Sequence, residues 1–167
     1  VYLRMGKKGE PVVHAARPDF AIGRAITLSA GTDVALLSTG TPLPTVVAAA
    51  QKLRELGISP RVESFHTVKP LDEALLAEVF AKYAVVATIE EHSILGGLGG
   101  AVAEWLADRE PQRARLLRLG TRDEFLHEAA DEEYARRYFG LDVEGITQSV
   151  AEAFARHGSA RSAGAQS

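Results

Sequence analysis

The stretch VVATIEEHSILGGLGG, Val85–Gly100, holds a strand, a cluster of ionisable groups, a glycine turn and the start of a helix. Val85–Ile89 shows no polar alternation, which is the pattern of a central strand covered on both faces. Glu90, Glu91 and His92 follow at its carboxyl end, where open α/β sheets place their working surface. Gly96, Gly97, Gly99 and Gly100 then admit close approach or positive φ, ahead of a helix from about Ala101 through Trp105 to Asp108.

The flanks repeat the strand–helix theme. Upstream, Ile22–Leu28 and Val34–Ser38 read as strands joined by Ala30-Gly31-Thr32-Asp33, which predicts an antiparallel hairpin. Thr39-Gly40-Thr41-Pro42 opens a helix to Leu56, with Pro42 and Pro44 in its first turn and Gly57 as its C′ residue. Arg61–Phe65 is a third strand. Asp72 caps the next helix, with Leu71 and Leu76 placed as a hydrophobic staple. Downstream, Ala114–Leu119 reads as a fifth strand, Glu124–Phe139 as loop and charged helix, and Asp142 caps a last helix ending near Gly158. The fold class is therefore α/β: a three-layer α/β/α sandwich around a mixed five-stranded sheet, mostly parallel with one antiparallel strand.

Organisation follows from the breaks. Val1–Leu3 reads as a strand, and residues 1–14 as the end of a preceding domain. A linker at 15–21 contains Pro18, the main domain covers 22–157, and the Ser/Ala/Gly-rich segment 158–167 is expected to be disordered. The formal net charge of −3 gives no reason to expect nucleic acid or an anionic membrane as partner. No apolar run is long enough to span a bilayer. Zero cysteines exclude disulfide and thiol chemistry and fit a cytoplasmic location.

Several residues are candidates for chemistry. Glu90, Glu91 and His92 have the groups of an acid, a base or a metal ligand, with His66 as the other histidine at a strand end. They equally suit hydrogen bonds to loops or a partner at the sheet edge. In HTVKPLD, His66–Asp72, Asp72 is explained by capping, and Lys69 either reaches a carboxylate such as Glu91 or is solvated. Arg4 can fork onto a phosphate or carboxylate, or lie solvated on the surface. The glycine turn is not a dinucleotide fingerprint, because counting from Gly97 puts Val102 where Gly or Ala is required. Close packing against a neighbouring backbone accounts for it better.

Taken together, Tyr2–Arg4 (YLR), Asp19–Ala25 (DFAIGRA), His66–Asp72 and Ile89–Val102 (IEEHSILGGLGGAV) resemble, in order and spacing, the C-terminal portion of transketolases and of related thiamine-diphosphate enzymes. The resemblance implies a complete enzyme that moves a two-carbon ketol unit between sugar phosphates, using thiamine diphosphate and Mg2+ (or Ca2+). It implies that those cofactors are bound by other domains, and that this chain carries no catalytic residue. The chain lacks the Gly-Asp-Gly…Asn motif of the family's metal–diphosphate site, having no asparagine at all.

On the same basis, residues 1–14 close a pyrimidine-binding domain and Arg4 falls where the family grips the sugar phosphate. Lys69, Pro70, Asp72, Glu91, His92, Gly96, Gly97 and Gly99 are expected to serve domain or subunit packing. The implied partner is a complementary N-terminal chain or domain, in a dimer or, for a split form, a heterotetramer. Two relatives stay open as alternatives: the β-subunit of 2-oxoacid dehydrogenase E1, where the domain acts as a docking module, and deoxyxylulose-phosphate synthase, whose Arg-Tyr-Pro-Arg-Gly pattern Tyr2–Gly6 does not match.

Overall fold

The computed structural model describes residues 2, 3, 6, 11–14, 16–110, 112–124 and 131–164, the last seven as backbone only. Its elements run β1 (Ile26–Ser29), β2 (Val34–Ser38), α1 (Leu43–Glu55), β3 (Pro60–Ser64), α2 (Glu73–Lys82), β4 (Val85–Ser93), α3 (Gly97–Ala107), β5 (Arg115–Thr121), α4 (Glu132–Tyr138) and α5 (Val143–Gly164). The sheet order is β1-β3-β2-β4-β5. β2 and β4, entirely apolar over Val34–Leu37 and Val85–Ala87, lie at its centre, as their two-sided burial requires.

Two cores sandwich the sheet. Val34, Leu36, Val85, Ala87 and Ile89 pack under α1 and α5 through Val46, Leu53, Ile146 and Val150. Ala35, Leu37 and Val86 pack on the opposite face against Leu76, Phe80, Leu98, Val102 and Trp105 of α2 and α3. The three-layer sandwich with one antiparallel strand is thus observed.

The antiparallel strand has a different partner from the hairpin expected. β1 pairs with β3, with Ile26 opposite Ser64, while β2 runs parallel to both β3 and β4. The connection at residues 30–33 crosses the start of β3 instead of turning back: Thr32 and Asp33 donate their amides to the Ser59 carbonyl at 3.0 and 2.9 Å. Asp33 Oδ2 accepts from the Ser59 amide at 2.8 Å. Gly31 makes the crossing possible, since a Cβ there would stand 2.2 Å from the Pro60 carbonyl carbon.

Other boundaries shift for local reasons. β1 begins at Ile26 because Ala21–Arg24 forms a turn, with the Arg24 amide on the Ala21 carbonyl at 3.1 Å and Gly23 at φ +79°. Tyr2 and Leu3 are not in a strand and are exposed, and among the described residues no strand pairs with them. α5 passes its expected end near Gly158 and carries helical backbone to Gly164, a stretch with no proline to stop a helix.

The caps hold as read. Asp72 accepts from the Leu75 amide at 3.1 Å and Asp142 from the Gly145 amide at 3.0 Å. Gly57, at φ +78°, closes α1 with its own amide on Arg54 and the Ile58 amide on Leu53, both at 2.9 Å.

Candidate functional site at the carboxyl end of the sheet

β4 extends four residues past its expected end, and those residues build the site. Between Ile89 and Ser93 the strand advances four residues while β5 advances two, from Leu119 to Thr121. The excess is a bulge, which redirects side chains at a strand end. Gly120 of β5 accommodates it, because a Cβ there would lie 2.7 Å from the His92 carbonyl oxygen.

Glu90 turns toward α3 and is 1% exposed. Its Oε2 accepts the Leu98 amide at 2.8 Å and its Oε1 the Gly99 amide at 2.7 Å. The strand therefore supplies the anionic cap of α3, an arrangement favoured by the orphan amides and dipole of a helix start. The carboxylate also explains the glycines. A Cβ on Gly97 would sit 2.0 Å from Glu90 Oε2, and one on Gly99 would sit 3.0 Å from both Glu90 Oε1 and Thr88 Oγ1. The close approach expected at this turn is real, but its partner is a buried carboxylate and not a neighbouring backbone.

Glu91 turns to the other side. The Thr41 hydroxyl, just ahead of α1, donates to its Oε2, and Arg136 Nε of α4 donates to its Oε1 at 2.8 Å. Arg136 also pairs with Glu132 one turn earlier on α4 at 2.7 Å, and its bond to Glu91 ties α4 to the sheet although α4 buries no residue of its own. A cleft of about 310 Å³ opens here, lined by Glu91, Thr121, Glu132, Ala135, Arg136, Phe139 and Leu141. Its ionisable groups already answer one another, so the arrangement works as a clasp between layers. Glu90 and Glu91 thus diverge, and among the described residues no group of three His, Cys, Asp or Glu is arranged to hold a metal.

The His66–Asp72 loop lies at the same end of the sheet. Asp72 has two duties: besides capping α2, its Oδ2 accepts the Ala25 amide at 3.0 Å and so anchors the entry to β1. Pro70, after a cis Lys69–Pro70 bond, packs on Gly23, and Phe20 lies with its ring centroid 4.3 Å from that of His66. Lys69 is exposed, and the carboxylate considered for it, Glu91, is held by Arg136 instead. Arg4 lies outside the described residues. Thr41, Gly120 and Arg136 escaped the sequence reading, because nothing in their local spacing marks them as neighbours of β4.

No described helix is long and apolar enough to cross a membrane. The family model for the transketolase C-terminal domain matches residues 23–146. A Methanocaldococcus jannaschii protein, provisionally named a transketolase C-terminal section, is 36% identical over 154 residues, which make up 91% of this chain and 47% of that protein. The 1-deoxy-D-xylulose-5-phosphate synthase of Syntrophus aciditrophicus is also 36% identical, over 77% of this chain and 20% of its own length. Among solved structures, a split-gene transketolase described as an inactive β4 tetramer superposes with a TM-score of 0.79 at 32% identity, over 89% of this chain and 48% of that one. The chain thus spans about half the length of the Methanocaldococcus jannaschii protein and of the split-gene transketolase chain, and about a fifth of the synthase.

Proposed function

Because the chain belongs to the transketolase C-terminal domain family, we propose that it is the C-terminal part of a thiamine-diphosphate enzyme that moves a two-carbon ketol unit between sugar phosphates. Thiamine diphosphate and Mg2+ (or Ca2+) are bound by a complementary N-terminal chain or domain, and the two parts assemble into a dimer or heterotetramer in the cytoplasm. Residues 1–14 complete the pyrimidine-binding domain, 15–21 link it to the body, and Arg4 binds the substrate phosphate. Lys69, Pro70, His92 and Gly96 serve contacts between domains or subunits, while Asp72, Glu91, Gly97 and Gly99 brace the helices of this domain against its sheet.

The observation that carries this reading is the pair of acids at the end of β4. Glu90 and Glu91 sit where an α/β enzyme would place its chemistry, yet each is engaged in holding a helix to the sheet. That suits a part which shapes and assembles an enzyme.

The test is a ketol-transfer assay with thiamine diphosphate and Mg2+. The 167-residue chain alone is expected to give no turnover, and addition of the complementary section to restore it. Turnover by the chain alone overturns the division of labour.

A second reading, deoxyxylulose-phosphate synthase chemistry, is favoured by the equal identity of the synthase relative. Formation of 1-deoxy-D-xylulose 5-phosphate by the reconstituted assembly would establish it over ketol transfer.

A further inference from the structure

Three large apolar side chains stand exposed at the carboxyl rim of the sheet: Phe20, Ile22 and Leu95, with 61%, 71% and 61% of their surface open. A soluble surface normally scatters such residues, and grouped exposure marks a contact. These three are also held firmly. The Ala21–Arg24 turn, Gly23 against Pro70 and the Ala25–Asp72 hydrogen bond fix Phe20 and Ile22. The Leu95 amide donates to Ser93 Oγ at 3.1 Å, and Arg118 Nη1 donates to the Ile94 carbonyl at 3.1 Å, fixing Leu95. A pre-organised patch loses little entropy on binding.

Position points to the occupant. Phe20 and Ile22 lead into β1, whose first residue pairs with Ser64 at the carboxyl end of β3, and Leu95 follows β4 at that same end. With β3 and β2 between them, β1 and β4 lie about 15 Å apart at normal strand spacing, well within one standard interface. Apolar exposure continues up the entering segment through Val12, Leu3 and Tyr2. A domain joined through residues 15–21 stays within about 25 Å of this rim, because an extended chain spans at most ~3.6 Å per residue.

We propose that the rim bearing Phe20, Ile22 and Leu95 is the docking surface for the cofactor-binding section that precedes this domain in the complete enzyme. The assignment rests on the function proposed above. The section presents an apolar patch of its own, and Phe20, Ile22 and Leu95 anchor it.

The test measures the dissociation constant between the 167-residue chain and the complementary section by calorimetry. Ile22→Ser, Leu95→Ser and Phe20→Ser are compared with Leu56→Ser, a control equally exposed beyond the far end of α1. Thermal melts confirm that each variant stays folded. Each rim variant is expected to weaken association about tenfold or more, as truncated anchors do, while Leu56→Ser stays within about twofold. Rim variants that bind like the wild type, or a control that suffers equally, overturn the docking surface and leave the proposed function standing. A wild-type chain that does not associate at all removes both. If rim variants instead separate copies of this chain and leave the complex with the section intact, the occupant is a second copy and the assignment falls.

Discussion

Glu90 and Glu91 are consecutive on β4 and serve opposite layers of the sandwich. Glu90 receives the Leu98 and Gly99 amides that open α3, while Glu91 receives the Thr41 hydroxyl that precedes α1 and the Arg136 guanidinium of α4. One strand end thereby sets the position of three helices.

Glu90→Ala leaves two buried amides without an acceptor and is expected to cost about 2–4 kcal/mol. Glu90→Gln keeps one acceptor and should cost less, while losing the charge that favours a helix start. Urea denaturation of both variants checks this order. An Ala variant with an unchanged midpoint would show that the cap contributes nothing.

The glycines of the turn should differ in a defined way. Gly97 has φ +58° and faces Glu90 Oε2, so Gly97→Val combines backbone strain with a clash and should cost a few kcal/mol (on the order of 3). Gly99→Val meets Glu90 and Thr88 at longer range and should cost somewhat less. Gly100→Ala should be neutral or stabilise by up to about 1 kcal/mol, since its Cβ would meet nothing nearer than 4.0 Å. Melting temperatures of the three variants test the ranking, and equal losses at Gly97 and Gly100 would refute it.

These glycines also show what the sequence made legible. Periodicity and punctuation locate the strands, the Asp72 and Asp142 caps and the Gly57 terminus, because each depends on neighbours in the chain. The pairing of β1 with β3 was not legible, since it depends on Gly31 passing over Pro60, a contact across 29 residues. Glu91 with Arg136, 45 residues apart, is of the same kind. The turn announced close packing, yet its partner was misread: the strand bulge that brings Glu90 onto Gly97 leaves no local pattern.

The acid limb of stability should depend on Glu78. Its carboxyl titrates below the usual 4.5, held down first by the hydrogen bond from Lys82 and then by Arg61, with burial opposing both. A depressed folded-state pKa stabilises the fold above the unfolded value, and that contribution is lost as pH falls through the folded value. Glu78→Gln should therefore flatten the melting-temperature profile between about pH 5 and pH 3, and added salt should shrink the difference. Profiles that stay parallel down to pH 3 would remove Glu78 from the acid response.

Arg4 supplies the test closest to substrate. If residues 1–14 complete the pyrimidine-binding domain, a planar and permanently charged fork there suits a sugar phosphate, with hydrogen bonds that strengthen where water is excluded. In the complete enzyme, Arg4→Ala should raise KM for phosphorylated sugars far more than for unphosphorylated ones. Loss of one charged partner costs about 1.5–3 kcal/mol, or roughly one to two orders of magnitude in kcat/KM. Arg4→Lys should recover part of the loss, because a point charge cannot reproduce the fork. An arginine that only braces the domain junction would instead harm both substrate classes equally and lower the melting temperature. Kinetics with one aldose and its phosphate ester separate the two, and equal losses would return Arg4 to the junction.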